Sequence, residues 1–210
     1  MRVGFWASTV LATLGAIYLA LLVGYFTSEG FNFPPTPFVQ TVGGLVTILS
    51  APAILMQFAA IGQLVTPEKA VFASIAKSFT VLFVAMVSIN RFVQLTIIRQ
   101  SPSGTESVDL VRFLPYSEGS IMFALEILGW GLFLSLACLF MAPLFAGAKL
   151  QRSIRWTLVL FAIFSFMSVI GFVTSTPITA AAFIAWGPIL LIQAILLAVL
   201  FHRNQMPSIS

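Results

Sequence analysis

Residues 71–98 read VFASIAKSFTVLFVAMVSINRFVQLTII, a stretch in which only Lys77 and Arg91 carry charge. A hydrocarbon layer about 30 Å thick is crossed by about 20 apolar residues rising 1.5 Å each, so this stretch is long enough to span one. Lipid offers no partner to an unpaired N–H or C=O, which restricts a spanning backbone to an α-helix or a closed barrel. Barrel strands alternate polar and apolar residues over about ten positions. That alternation is missing here, and a helix is predicted. Arg91 makes the stretch decisive, because a charge at that depth needs a partner and the partner constrains the neighbouring helices.

Five further apolar runs lie outward from it, at 4–26, 39–64, 119–145, 156–175 and 179–201, giving six predicted spans with 71–98. Of the 210 residues, 60% are hydrophobic and 8% charged, with a mean hydropathy of +1.07. Soluble domains carry about 25% charged residues. The expected fold is therefore an all-α integral membrane protein, a bundle of about six transmembrane helices forming one domain over 1–203, with a short tail at 204–210. The run from Arg2 to Phe26 is too long for a signal-peptide core and reads as the first span.

Charge placement predicts the orientation. With the N-terminus inside, Arg2, Lys69, Lys149, Arg152, Arg155 and Arg203 are cytoplasmic, and Arg99 and Arg112 are external. Six basic residues against two put both termini in the cytoplasm, most simply at the plasma (inner) membrane. The net charge of +4 is then topological; its basic residues are scattered rather than massed, and no nucleic-acid partner is expected. Two outer connections stand out. Residues 27–38 interleave Phe31, Phe33 and Phe38 with Pro34, Pro35 and Pro37, and residues 100–118 contain a short helical pattern opened by Thr105 or Ser107 and stopped near Pro115. Either can anchor in the headgroup region or cover an outward-facing pocket. Pro52 and Pro188 are candidate kinks within spans.

Arg91 finds its predicted partner in Glu126. Arg91 lies eight residues before Arg99, and Glu126 eight residues after Glu118, so antiparallel neighbours hold them at one depth. That depth is about 12 Å in from the outer loop charges. Unpaired, each would cost a few kcal/mol or more, so mutual neutralisation is expected. At 100° per residue Lys77, Thr80, Ser88 and Arg91 fall within about 80°, with Ser74 and Gln94 at the edges, and this stripe is expected to face the bundle. Opposite it the Glu126 face presents Met122, Gly129, Trp130, Phe133 and Ala137. Arg91, Glu126, Asn90, Gln94, Ser88 and Trp130 are thus the candidate residues of a ligand site or of a structural ion pair. Gln57 is a candidate partner for Lys77 on depth alone, although Lys77 can also snorkel to the headgroups.

The first span repeats small residues at Ser8, Ala12, Ala16, Ala20 and Gly24, a ridge that permits close helix approach, either within the chain or to another membrane subunit. In length, six-span layout and Ala12 with Ala16, the chain resembles the substrate-binding subunits of energy-coupling-factor vitamin importers. That resemblance implies a first-helix face that contacts a transporter partner; it covers no vitamin-specific motif.

Absent residue types narrow the chemistry. His202 is the sole histidine and Cys138 the sole cysteine, so a His- or Cys-based metal centre, an intrachain disulfide and a Ser-His hydrolase lack their residues. Glu126 is the one intramembrane carboxylate, which leaves no dyad for acid-base catalysis or a diacidic metal site. No phosphate-cradling Gly-rich loop is present, and no cofactor is indicated. Three functions remain: a non-enzymatic bundle that binds or transports a small lipophilic ligand, an accessory subunit docking through the first span, and a lipid enzyme using Glu126.

Overall fold

The computed structural model describes residues 1–30, 35–98, 112–114 and 119–203. Six helices are long and apolar enough to cross a membrane: α1 (Arg2–Glu29), α2 (Pro37–Gly62), α3 (Pro67–Ile97), α4 (Ile121–Leu144), α5 (Lys149–Val173) and α6 (Pro177–His202). No strand occurs among the described residues. The tail at 204–210 and the helix expected near Thr105 lie outside them.

Local chemistry sets the helix starts. Proline opens α2, α3 and α6 at Pro37, Pro67 and Pro177, where its missing N–H costs nothing and its φ suits a helix. Ser120 caps α4, its Oγ accepting from the Phe123 N–H at 3.1 Å. Helix α5 begins at Lys149, not at 156 as its apolar pattern predicts. The basic residues Lys149, Arg152 and Arg155 mark where hydrocarbon would end, whereas the backbone winds on through them. Pro52 sits inside the continuous helix of α2, and Pro188 coincides with a widened π-helical turn in α6.

Each helix packs on its neighbours in sequence, and α1 also packs on α6, which closes the six into a ring. Both termini lie at one end, where Phe5 meets His202 with ring centroids 5.6 Å apart; at the other, distal end Phe26 meets Phe183. The half nearest the termini is densely packed. Phe58, Phe83, Phe145, Phe161, Met141, Leu144, Ile154 and Leu158 are fully buried there, with Ala76, Ala137, Ala162 and Ala194 between them. Outward, the bundle presents apolar side chains, with Trp6 and Phe92 each 63% and Val173 76% exposed. A soluble monomer rarely tolerates such a surface; hydrocarbon does.

The packing face of α1 departs from the expected ridge. Gly4, Ala7, Ser8 and Leu11 are buried and Ala12 packs at the edge of the core, but Ala16, Ala20 and Gly24 are exposed. A row of every fourth residue drifts about 40° per step on a helix of 3.6 residues per turn, so Gly24 lies about 160° around from Ser8. The ring closes through other glycines. A Cβ on Gly4 would meet the Phe201 ring at 2.5 Å, and one on Gly187 would meet Leu19 at 2.9 Å. Gln57 likewise takes a different partner from the one expected: its Nε2 donates to Ser8 Oγ at 2.8 Å, tying α2 to α1, while Lys77 is exposed.

Two glycines test this packing. A Cβ on Gly171 would lie 2.1 Å from the Thr179 backbone nitrogen, which cannot rotate away, whereas one on Gly24 meets nothing within 4 Å. Gly171→Ala is expected to cost about 1–3 kcal/mol and Gly24→Ala to be neutral or slightly stabilising, as read from thermal unfolding of the purified protein.

Candidate functional site

The site forms where α3 and α4 run antiparallel at closest approach. Their register sets Val87 against Gly129, where an added Cβ would be 3.2 Å from Val87 Cγ2, and one turn further sets Asn90 against Glu126. The absent side chain at Gly129 lets the polar residues above it reach each other. Arg91 Nη2 donates to Glu126 Oε1 in a salt bridge, and Asn90 Nδ2 donates to Glu126 Oε2 at 2.6 Å. Arg91 Nη1 donates to Gln94 Oε1 at 2.7 Å, and Gln94 Nε2 donates to Asn90 Oδ1 at 2.9 Å. These four bonds form a closed circuit of four side chains. Arg91 and Glu126 are 7% and 5% exposed and Asn90 is fully buried, so both charges are compensated where water is scarce.

The sequence stripe on α3 is only partly inward. Thr80, Asn90 and Arg91 are buried, Ser88 is half-buried and stands outside the circuit, and Ser74 and Lys77 face outward. The buried residues Ala73, Ala76, Thr80, Phe83, Val87 and Asn90 follow alternating steps of three and four, which is the face that α3 turns inward. On α4 the expected face holds: Met122, Gly129, Trp130 and Ala137 are buried and Phe133 is half-buried.

Around this circuit the distal half of the ring holds open pockets between the helices. One cavity of about 350 Å³ is lined by Tyr18, Gln40, Arg91, Gln94, Leu95 and Leu114 among others. A second, of about 360 Å³, is lined by Tyr18, Arg91, Phe123, Glu126, Phe183 and Trp186. A void of about 30 Å³ lies deeper, bordered by Leu11, Tyr18, Ser50, Glu126, Trp130 and Trp186. Tyr18 lines all three. Pro35, Pro37 and Leu114 line the first cavity, so the described parts of both long distal connections stand over it.

Backbone irregularity gathers at the same level. Widened π-helical turns occupy Gln94–Ile98 at the distal end of α3, Ile127–Phe133 in α4 directly after Glu126, and Ala185–Ile189 in α6. Such turns concentrate at functional sites. Two of them carry the tryptophans that border the small pocket, Trp130 and Trp186, which pack on each other at a tilt with ring centroids 5.7 Å apart. Trp186 Nε1 donates to Ser165 Oγ at 3.1 Å; the buried Trp130 Nε1 has no acceptor among the described residues. Tyr18, Phe183 and Trp186 escaped the sequence reading. A signal exists in the repeated Trp-Gly pairs, Trp130–Gly131 and Trp186–Gly187, since glycine beside a bulky ring marks a local concession in helix packing.

The chain matches no protein-family model, no curated protein and no solved structure.

The circuit predicts strong coupling between its charges. Arg91→Gln or Glu126→Gln alone strands a buried charge and is expected to cost about 3–5 kcal/mol, while the double substitution, neutral overall, recovers most of the loss. A double-mutant cycle of unfolding free energies measures the coupling directly.

Proposed function

We propose that this chain is a non-enzymatic integral membrane bundle that binds, and in doing so can pass, a small lipophilic or weakly polar molecule in its distal half. The observation that carries this reading is the placement of the Arg91–Glu126 circuit on the wall of cavities of about 350 and 360 Å³. Cavities of this size, largely apolar with a few convergent polar groups, are the usual form of a small-molecule site. The excess of basic residues at the end holding the termini supports a cytoplasmic placement of that end and an outward-facing site.

The circuit also weighs against a lipid enzyme. Both Glu126 oxygens already accept hydrogen bonds, from Arg91 and Asn90, which suits an acceptor held in place better than an acid that must release a proton. A second, non-exclusive reading is favoured by the exposure of Ala16, Ala20 and Gly24: α1 leaves a small-residue surface on the outside of the ring for another membrane subunit.

Each reading has its measurement. Protein purified in native-lipid nanodiscs should carry a small molecule enriched over bulk lipid in its extract, detected by mass spectrometry. Gly43→Leu, which adds bulk beside Tyr18 on the cavity wall, should reduce that molecule about tenfold without loss of fold. Extracts indistinguishable from bulk lipid would end the ligand reading. For docking, a partner that co-purifies in mild detergent should be lost on Ala16→Leu together with Ala20→Leu; a chain that emerges alone both before and after the change would end that role.

A further inference from the structure

The ligand reading leaves the chemistry of the ligand open, and the charge arrangement narrows it. Among the described residues lining the three cavities, Arg91 and Glu126 alone are charged, and they neutralise each other within one circuit. The remaining polar wall is uncharged: Tyr18, Tyr25, Gln40, Thr41, Thr47 and Gln94 in the first cavity, with Ser50 and Thr179 in the other two. Thr41 and Thr47 return their hydroxyl protons to their own helix, donating to the carbonyls of Pro37 and Gly43 at 2.8 and 2.7 Å, and so turn oxygen lone pairs toward the space. The rest of the wall is aliphatic and aromatic, with Leu21, Leu22, Phe26, Leu95 and Phe183 prominent.

From this we infer that the distal cavities select an electrically neutral amphiphile, one whose uncharged head, a hydroxyl, carbonyl or amide, meets the Gln94 and Tyr18 side of the wall and whose apolar body lies among the leucines and phenylalanines. A carboxylate or phosphate head would have to compete with Glu126 for the same guanidinium and leave one anion uncompensated. An ammonium head would compete with Arg91 for the one carboxylate. Either outcome strands a charge in a place with little water to screen it. A neutral head breaks nothing. The inference rests on the ligand reading, and it makes the circuit a selectivity element: each half cancels the attraction that the other would exert on an ionic ligand.

The test uses a chain-length-matched set of brominated probes: an alkanol, an alkanoate and an alkyltrimethylammonium. Trp6 and Trp156 lie exposed on the outer surface, so Trp6→Phe with Trp156→Phe leaves Trp130 and Trp186 as the reporters beside the cavities. Quenching is measured in nanodiscs of zwitterionic lipid, with each probe's bilayer partitioning determined separately. The alkanol is expected to quench saturably at least about tenfold more tightly than either ion, a difference of about 1.4 kcal/mol. Glu126→Gln should shift the preference toward the alkanoate, and Arg91→Gln toward the ammonium. Selectivity of the unsubstituted circuit decides the matter even if either variant fails to fold. Tighter binding of the alkanoate or the ammonium by the intact circuit would overturn the neutral-head inference while leaving the ligand reading in place. Saturable quenching by none of the three would overturn both.

Discussion

A guanidinium and a carboxylate buried at one level of an apolar bundle persist only as a pair, and much of the distal half follows from keeping that pair together. Charge neutralisation alone would not suffice, because the remaining donors and acceptors of both groups are also cut off from water. Asn90 and Gln94 each add one bond, to Glu126 and from Arg91, out of the same helix that carries Arg91. Three of the four participants therefore sit on α3 at spacings of one, three and four residues, and only Glu126 comes from α4. The glycine at 129 brings the two helices near enough for Asn90 to reach a carboxylate whose own stem is short.

The two ends of the bundle solve different problems. Near the termini, alanines, phenylalanines and branched aliphatics pack into the core, and no π-helical turn is found there among the described residues. Toward the distal end the interior residues become tyrosine, tryptophan and glycine, the helices loosen into wider turns, and space remains between them. The rings of Tyr18 and Trp186, half-buried, and of Phe183, exposed, line that space, whereas Phe58, Phe145 and Phe161 are fully buried in the proximal half. The contrast places rigidity and adaptability in separate halves of one ring.

What could be read from the sequence was whatever a strong, local cost enforces. Apolar length gave the six helices, and the cost of an isolated buried charge gave Arg91 and Glu126 as neighbours. The misreadings came from weaker or longer-range determinants. The four-residue ridge of α1 is legible as a row of small residues but not as one surface, because it drifts around the helix: Ala12 packs at the edge of the core while Ala16, Ala20 and Gly24 lie on the outside of the ring. Gln57 could bond any polar group at its depth, and one-dimensional depth does not distinguish Ser8 from Lys77. The start of α5 was hidden because charge marks a change of solvent and not an end of the helix. Tyr18 and Trp186 were invisible as site residues because α1 and α6 meet only through ring closure, between the two segments furthest apart in the chain.

That closure bears on the order of assembly. The chain emerges from its N-terminal side, so α1 is available long before α6, and α2 can cover only part of its inward surface. Gly4, which receives the Phe201 ring, and Gly15, which packs against Leu191, must wait for the last helix. Until it arrives, the nascent bundle is an open arc with the seam between α1 and α5 uncovered. Helix α6 acts as the keystone: the other five can find their neighbours stepwise, but the ring closes only where α6 meets α1.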